Sequence, residues 1–230
     1  MKNRALLIIL IILISGFGIT GCTSRESINA ELEERIKEKD AKIYELENKI
    51  GELESQINNL NQPLPNNLLS MVIDIMDSIK NKDMNRLSSY ISPTLKLRFS
   101  PYDYIDIENS QVFTLEEVKD LQSGTELYLW GHYDGSGEPI ELSFNDYYKR
   151  FIYDEDFANP QIIGNDTAIG KGNTVDNIKD VYPNSHFVEF HFTGFDPQYG
   201  GADWRSLKLV FEQENRKWYL VAIVHGEWTI

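Results

Sequence analysis

Between Asn29 and Leu60 the aliphatic residues recur in a strict seven-residue cycle. This constrains the chain more than any other feature, because only a long helix keeps such a stripe on one face. With Ile36 at position a, the a series reads Asn29, Ile36, Ile43, Ile50 and Ile57, and the d series reads Leu32, Lys39, Leu46, Leu53 and Leu60. Isoleucine at a with leucine at d favours a parallel two-stranded coiled coil. Position g carries Arg35, Lys42 and Lys49, and position e carries Asp40, Glu47 and Glu54. A parallel pair sets these bases against these acids, whereas an antiparallel pair would oppose like charges. Each exposed ion pair is worth only ~0.2–1 kcal/mol, so the charges choose orientation and the aliphatic seam supplies stability. The expectation is a coiled coil over 28–60 that forms a parallel homodimer through Leu32, Ile36, Ile43, Leu46, Ile50, Leu53, Ile57 and Leu60. A trimer or a lone solvated helix is the alternative. Lys39 and Asn29 are weak layers that fix register. Such a helix stands roughly 50 Å tall, and Pro63 and Pro65 end it in a hinge over 61–65.

Upstream, Lys2 and Arg4 precede an uncharged aliphatic run, Ala5 to Ile14, followed by Ser15, Gly16, Gly18 and Gly21. That is the plan of a secretory leader. The run breaks well short of the ~20 apolar residues that a span needs, although a retained membrane anchor is the alternative. Ile19-Thr20-Gly21-Cys22 resembles the lipobox of bacterial lipoprotein signal peptides. The resemblance implies removal of 1–21, acylation of Cys22 by fatty chains such as palmitate, and a lipidated tether over 22–27. It places the rest of the chain in the cell envelope, extracytoplasmic, on the outer face of the cell membrane. Acyl chains add ~0.8 kcal/mol per buried CH2, and two or more hold stably.

Cys22 is the only cysteine. The exported part therefore has no intrachain disulfide, no thiol nucleophile and no cysteine for a zinc site. A formal charge of −14 argues against nucleic acid, where phosphate contacts want Lys and Arg. Hydrophobic residues at 41% and aromatics at 12% exclude a disordered polyanion.

Residues 66–230 read as one α+β domain. Leu68, Leu69, Val72, Ile75, Met76 and Ile79 mark a helix over about 67–81, and Asp83 caps a short second one through Leu87, Tyr90 and Ile91. Leu95, Leu97 and Phe99 alternate like a strand, Thr114 and Glu117 make a capping box, and Glu126 to Gly131 reads as a strand. Asp134 to Pro139 reads as a turn, and Ser143 caps a helix through Phe144, Tyr147, Tyr148 and Phe151. His186–Phe192, Leu207–Phe211 and Trp218–Val224 are strands, the last two joined as a hairpin through Glu212 to Lys217. Helices early and antiparallel strands late are the α+β order.

Two stretches carry a resemblance: Ile79-Lys-Asn-Lys-Asp83-Met-Asn-Arg-Leu87-Ser-Ser-Tyr90-Ile-Ser-Pro93, and Leu207-Lys-Leu-Val-Phe211 with Lys217-Trp-Tyr-Leu-Val-Ala-Ile223. Together they resemble the nuclear-transport-factor-2-like superfamily, in particular its versions on bacterial lipoproteins of unknown function. The resemblance implies N-terminal helices packed on a curved, cone-like antiparallel sheet whose last two strands are long. Members include ligand-binding modules, dimerising modules and small enzymes, so the fold alone does not choose.

Gly164 to Lys171 departs from the phosphate-loop spacing and reads as a turn. On a strand His186 and His191 face opposite ways and only Glu189 shares a face with His191, too few ligands for a metal. His132 and His225 stand alone. Asp103, Asp106 and Glu108, and Asp154, Glu155 and Asp156, read as solvated acidic loops. If a cone pocket exists, Trp130, Tyr148 and His191 are its candidates, and the Gly194 to Asp203 loop its rim. No catalytic residue, metal or cofactor is assigned, and no ligand or protein partner is named. The expected function is a membrane-anchored extracytoplasmic lipoprotein presenting a binding or scaffolding domain on its stalk. The alternative is a small pocket enzyme using acid/base chemistry on the same fold, and a third reading makes the stalk itself the function, as a structural envelope protein.

Overall fold

The computed structural model describes residues 28–54 and 66–229. The stretches read as a leader, a tether from Cys22 and a hinge over 61–65, with the predicted seam residues Ile57 and Leu60, lie outside the described residues. The chain divides into two compact units, parting between Asn59 and Leu60.

In the first unit, α1 is an unbroken helix over 28–54. Its seam side chains Leu32, Ile36, Ile43, Leu46, Ile50 and Leu53 are 45–58% exposed. Lys42 and Lys49 each reach an acid three residues on, Glu45 and Glu52, at 2.8 and 3.1 Å. Among the described residues no helix is long and apolar enough to cross a membrane.

The second unit begins with α2 (Asn66–Lys80) and α3 (Met84–Ser88). The predicted spacing holds for Leu68, Val72, Ile75, Met76 and Ile79, which are buried, while Leu69 faces outward at 48% exposure. Asp83 caps α3 by accepting from the Arg86 amide. The strands are β1 (Leu97–Ser100), β2 (Val112–Phe113), β3 (Leu127–His132), β4 (Pro139–Ser143), β5 (Ile162–Asn165), β6 (His186–Phe192), β7 (Arg205–Glu214) and β8 (Lys217–Glu227). They form a six-stranded sheet ordered β2-β1-β8-β7-β6-β5 and a separate β3-β4 hairpin. Pairing in the large sheet is antiparallel except between β1 and β8, which run parallel. Between the strands lie α4 (Leu115–Asp120), opened by the Thr114/Glu117 capping box, α5 (Phe144–Tyr147), capped by Ser143, and α6 (Ile178–Val181).

One face of the sheet packs on the helices. Leu207, Leu209, Phe211, Val188, Ile223 and Phe99 meet α2, α3 and α5 in the main core. Its centre is aromatic: the Trp130 ring stacks on Tyr147 at 3.9 Å, and Phe99 meets Phe113, Trp130, Phe144 and Tyr147 edge-on. The centre of the space between helices and sheet is thus filled by side chains, while a cavity of about 440 Å3 opens between α2, β5 and β6.

The other face is covered by the chain itself. Ile105, from the loop after β1, and Ile178, at the start of α6 in the connection after β5, close over Phe187, Val210, Val221, Ala222 and Val224 in a second, smaller core. Asn177 ties the two loops together, accepting from the Ile105 amide at 2.7 Å and donating to its carbonyl at 3.1 Å. Alternation along β7 places Lys208 on this face, and because of that cover it is fully buried.

Candidate functional site

Beside the filled core, a cleft of about 850 Å3 opens between the β3-β4 hairpin, the loop after β1 and the stretch Asn173 to Val175. The hairpin wall is built by glycine. Gly131 sits at φ +135 within the irregular pairing between Leu129 and His132, where the register shifts by one residue. Tyr133 and Glu138 close the turn, with Tyr133 donating to the Glu138 carbonyl and Gly137 to the Tyr133 carbonyl, both at 2.8 Å. Trp130 anchors this wall from behind, its indole donating to the Leu142 carbonyl at 2.9 Å.

The opposite wall carries Tyr102 and Tyr104. The Ser100 hydroxyl donates to both of their carbonyls, at 2.8 and 3.3 Å. The Tyr102 ring meets Phe151 edge-on, and its hydroxyl accepts from the Asp134 amide across the cleft at 3.4 Å. Burial, with the charges of Glu227 and Asp134, pushes the Tyr102 phenol above its ordinary pKa, so it stays protonated. Tyr104 is exposed at 55%. The third wall hangs on the C-terminal strand's extension: Thr174 and Thr229 share a hydroxyl contact at 2.7 Å, and Asn173 donates to the Thr229 carbonyl.

Charge in the cleft is one-sided. Asp106, Asp134 and His132 line it, with no Lys or Arg among the lining residues. Hydrogen bonds from Asn109, together with the Asn109 and Glu108 amides, hold the Asp106 carboxyl below the usual range. Arg98 touches the wall at Ser110 but spends its guanidinium on Tyr182, Ile107 and Ser110. Arg150 is taken by Glu227 at 2.6 Å.

Two walls are pinned from behind by a single ammonium. Lys208 Nζ donates to Asp103 and Asp176, each at 2.7 Å, and Glu189 lies at 4.0 Å. Asp103 stands between Tyr102 and Tyr104, and Asp176 follows Val175. Burial would lower the Lys208 pKa, but Asp103, Glu189 and Asp176 outweigh it and raise it above the ordinary lysine value. Burial dominates at Asp103 and raises its carboxyl despite Lys208. Glu189 lies low in spite of burial, held by His191, Lys208 and the amides of Ile169 and Gly170. The glycine-bearing loop that departs from phosphate-loop spacing thus turns its amides to an internal carboxylate.

Across the sheet a second network lies at the far end of the main core. His225, fully buried, contacts the Pro101 carbonyl with Nδ1 and Asp154 with Nε2, both at 3.2 Å. Arg205 bridges Asp154 and Glu227 at 3.2 and 3.3 Å. Asp154 is kept below the usual carboxylate range against burial, by His225 and Arg205.

The three residues named for a cone pocket do not meet. Trp130 borders the cleft but is fully buried in its floor. Tyr148 lies in the core, its hydroxyl donating to the Ile79 carbonyl and its ring under the Lys82 ammonium at 4.6 Å. His191 is on the other face, against Trp204 with ring centres 5.6 Å apart. Asp103 and Asp154, expected in solvated loops, are inside, because each has a cation to meet. His132 is on the cleft wall and His186 pairs with Asp166. Among the described residues no group of three or more His, Cys, Asp or Glu is placed to hold a metal. The Gly194 to Asp203 loop lies away from the cleft, folded around Asp203, which accepts from the Phe195 and Asp196 amides. Tyr102, Tyr104 and Tyr133 were not singled out as site residues. For Tyr102 and Tyr104 the one signal was the pattern Pro101-Tyr-Asp-Tyr104, alternating aromatics about an acid outside any regular element.

Fold and site thus define a two-layer α+β domain with a tyrosine-walled side cleft. No protein-family model matches the chain, and no curated protein matches it. Among solved structures it is similar to an NTF2-like protein from Cytophaga hutchinsonii, at 10% identity and a TM-score of 0.32, over 72% of this chain and 99% of that one. It is also similar to an NTF2-like protein of unknown function from Shewanella baltica OS155, at 8% identity and a TM-score of 0.27, over 71% of this chain and 97% of that one. Likenesses this slight carry no argument here.

Proposed function

We propose that this chain is an extracytoplasmic lipoprotein, anchored to the outer face of the cell membrane by acylated Cys22, whose paired helical stalk presents a binding domain. The observation that carries the reading is the α1 seam. Six aliphatic side chains in heptad phase stand about half exposed along an unbroken helix, and such a stripe is stable in water when a second helix covers it. The g and e charges favour a parallel copy of the same chain. The aromatic filling at the centre of the main core supports a binding or scaffolding role over an enzyme pocket there. Two N-terminal helices on a six-stranded sheet, with the last two strands longest, support an NTF2-like reading of the domain. The acidic balance, −14 overall, speaks against nucleic acid as a partner.

Two measurements test this. Cells fed radiolabelled palmitate should label the wild-type protein, and Cys22→Ala should abolish the label and leave unprocessed precursor. A labelled Cys22→Ala protein would overturn the anchor. Light scattering of the full chain in detergent should give the mass of a dimer, and a monomeric mass would overturn the paired stalk.

A further inference from the structure

We propose that the tyrosine-walled cleft binds an organic cation, an ammonium or guanidinium group carried by a small molecule or a peptide side chain. The inference rests on the reading of this domain as a binding module and names the chemistry of what it binds.

Three features of the cleft converge. Tyr102, Tyr104 and Tyr133 bring aromatic rings to two facing walls, and aromatic faces attract cations within about 6 Å of the ring centre. Asp106 and Asp134 bring carboxylates to the same walls, with no Lys or Arg among the lining residues to neutralise them. An anionic ligand would therefore meet repulsion on entry. The hydrogen-bonding balance points the same way. Among the described residues the Asp106 carboxylate accepts only from its own loop, and Asp134 accepts from Gly135 and, at the loose distance of 3.5 Å, from Thr174. Carboxylate lone pairs thus outnumber the donors that reach them. A ligand rich in N–H donors completes such a site, whereas a polyol would need donors from the protein as well as acceptors.

The walls are also held in place before a ligand arrives. Asp103 and Asp176 fix the Tyr104 side and the Val175 side to one buried ammonium, so closing on a cation requires little reordering. Lys208 is a positioning residue here: it touches no ligand, and it sets the spacing of the walls.

The test compares a cationic ligand with a neutral one of nearly the same shape, and both with a polyol. Acetyl-arginine amide, acetyl-citrulline amide and maltotriose are titrated calorimetrically into the full chain in detergent, and the protein's mass is measured in the same sample. The arginine amide should bind at least tenfold more tightly than its neutral citrulline counterpart, and added salt should weaken it. Tyr104→Ala and Asp134→Asn should each weaken arginine binding by about five- to tenfold. Val175→Arg, at a position 69% exposed on the rim, should weaken it further by placing a cation at the mouth. All three are surface changes, so they leave the fold in place. Equal binding of arginine and citrulline amides, tighter binding of maltotriose, or no binding by any probe would each overturn the proposal. A dimer that binds none of the probes sinks the cation site and spares the stalk, whereas a monomer that binds arginine amide sinks the stalk and spares the site.

Discussion

Lys208 joins three separate segments of this domain through one buried ammonium. It is fully buried and holds two carboxylates at 2.7 Å with a third at 4.0 Å. Removing one partner from a buried ion cluster costs about 3–5 kcal/mol, because the remaining charge is left without compensation. Lys208→Met should therefore lower the melting temperature by roughly 10 °C, at about 2–4 °C per kcal/mol for a domain of this size. Adding Asp103→Leu should recover part of the loss, and calorimetry of the two variants checks both. Glu189 supplies a pH dependence. Its folded pKa lies below its ordinary value, so its contribution is complete above the unfolded pKa and disappears as pH falls through the depressed folded one. The stability gap between wild type and Glu189→Gln, measured by denaturant titration, should narrow as pH drops below about 4. Alternation revealed which face Lys208 takes. Its burial was not legible, because the loops that cover that face come from 103–110 and 166–185 and carry no periodic signal.

Elements with local causes were read closely. The Thr114 capping box, the Asp83 and Ser143 caps and the cores of β6, β7 and β8 form where side-chain type and spacing put them. Features set by distant or subtle geometry were not. The parallel pairing of β1 with β8 joins residues 124 apart in sequence, as in Arg98 with Ala222. Phe144, Tyr147, Tyr148 and Phe151 fit α spacing, yet the helix widens into a π-turn over Tyr148–Ile152, closed by the Tyr153 amide on the Tyr148 carbonyl at 2.8 Å. The β7-β8 connection is tighter than the Glu212 to Lys217 hairpin suggested. Only Asn215 and Arg216 turn, at φ 51 and 66, because both strands run to the turn's edge. Two left-handed residues make the type I′ turn that suits the strand twist, and asparagine followed by glycine is its preferred filling. Arg216→Gly relieves a strained position and loses some unfolded-state restriction in exchange. A net gain of about 0.5 kcal/mol is expected, visible as a shift to higher denaturant at unchanged slope.

At the scale of the whole molecule, the cycle between Asn29 and Leu60 made a long helix legible, and α1 runs unbroken over 28–54; the chain divides between Asn59 and Leu60. The α+β class was legible too, since helices precede the long strands. The side cleft was not, because it is assembled from three segments separated by tens of residues. What the heptad adds is a demand on phase, and phase separates a true paired seam from a merely charged helix. Deleting Ile43 to Lys49 removes one full cycle and leaves every remaining a and d residue on one stripe. Deleting Tyr44 and Glu45 alone removes fewer residues but turns Leu46, Ile50 and Leu53 about 200° from Leu32 and Ile36, at 100° per residue. In detergent, the seven-residue deletion should keep the dimer, about 10 Å shorter, and the two-residue deletion should dissociate at least tenfold more readily. Equal stability of the two would mean that the seam does not hold the copies together. Dissociation of both would mean that stalk length, and not phase, sustains the pair.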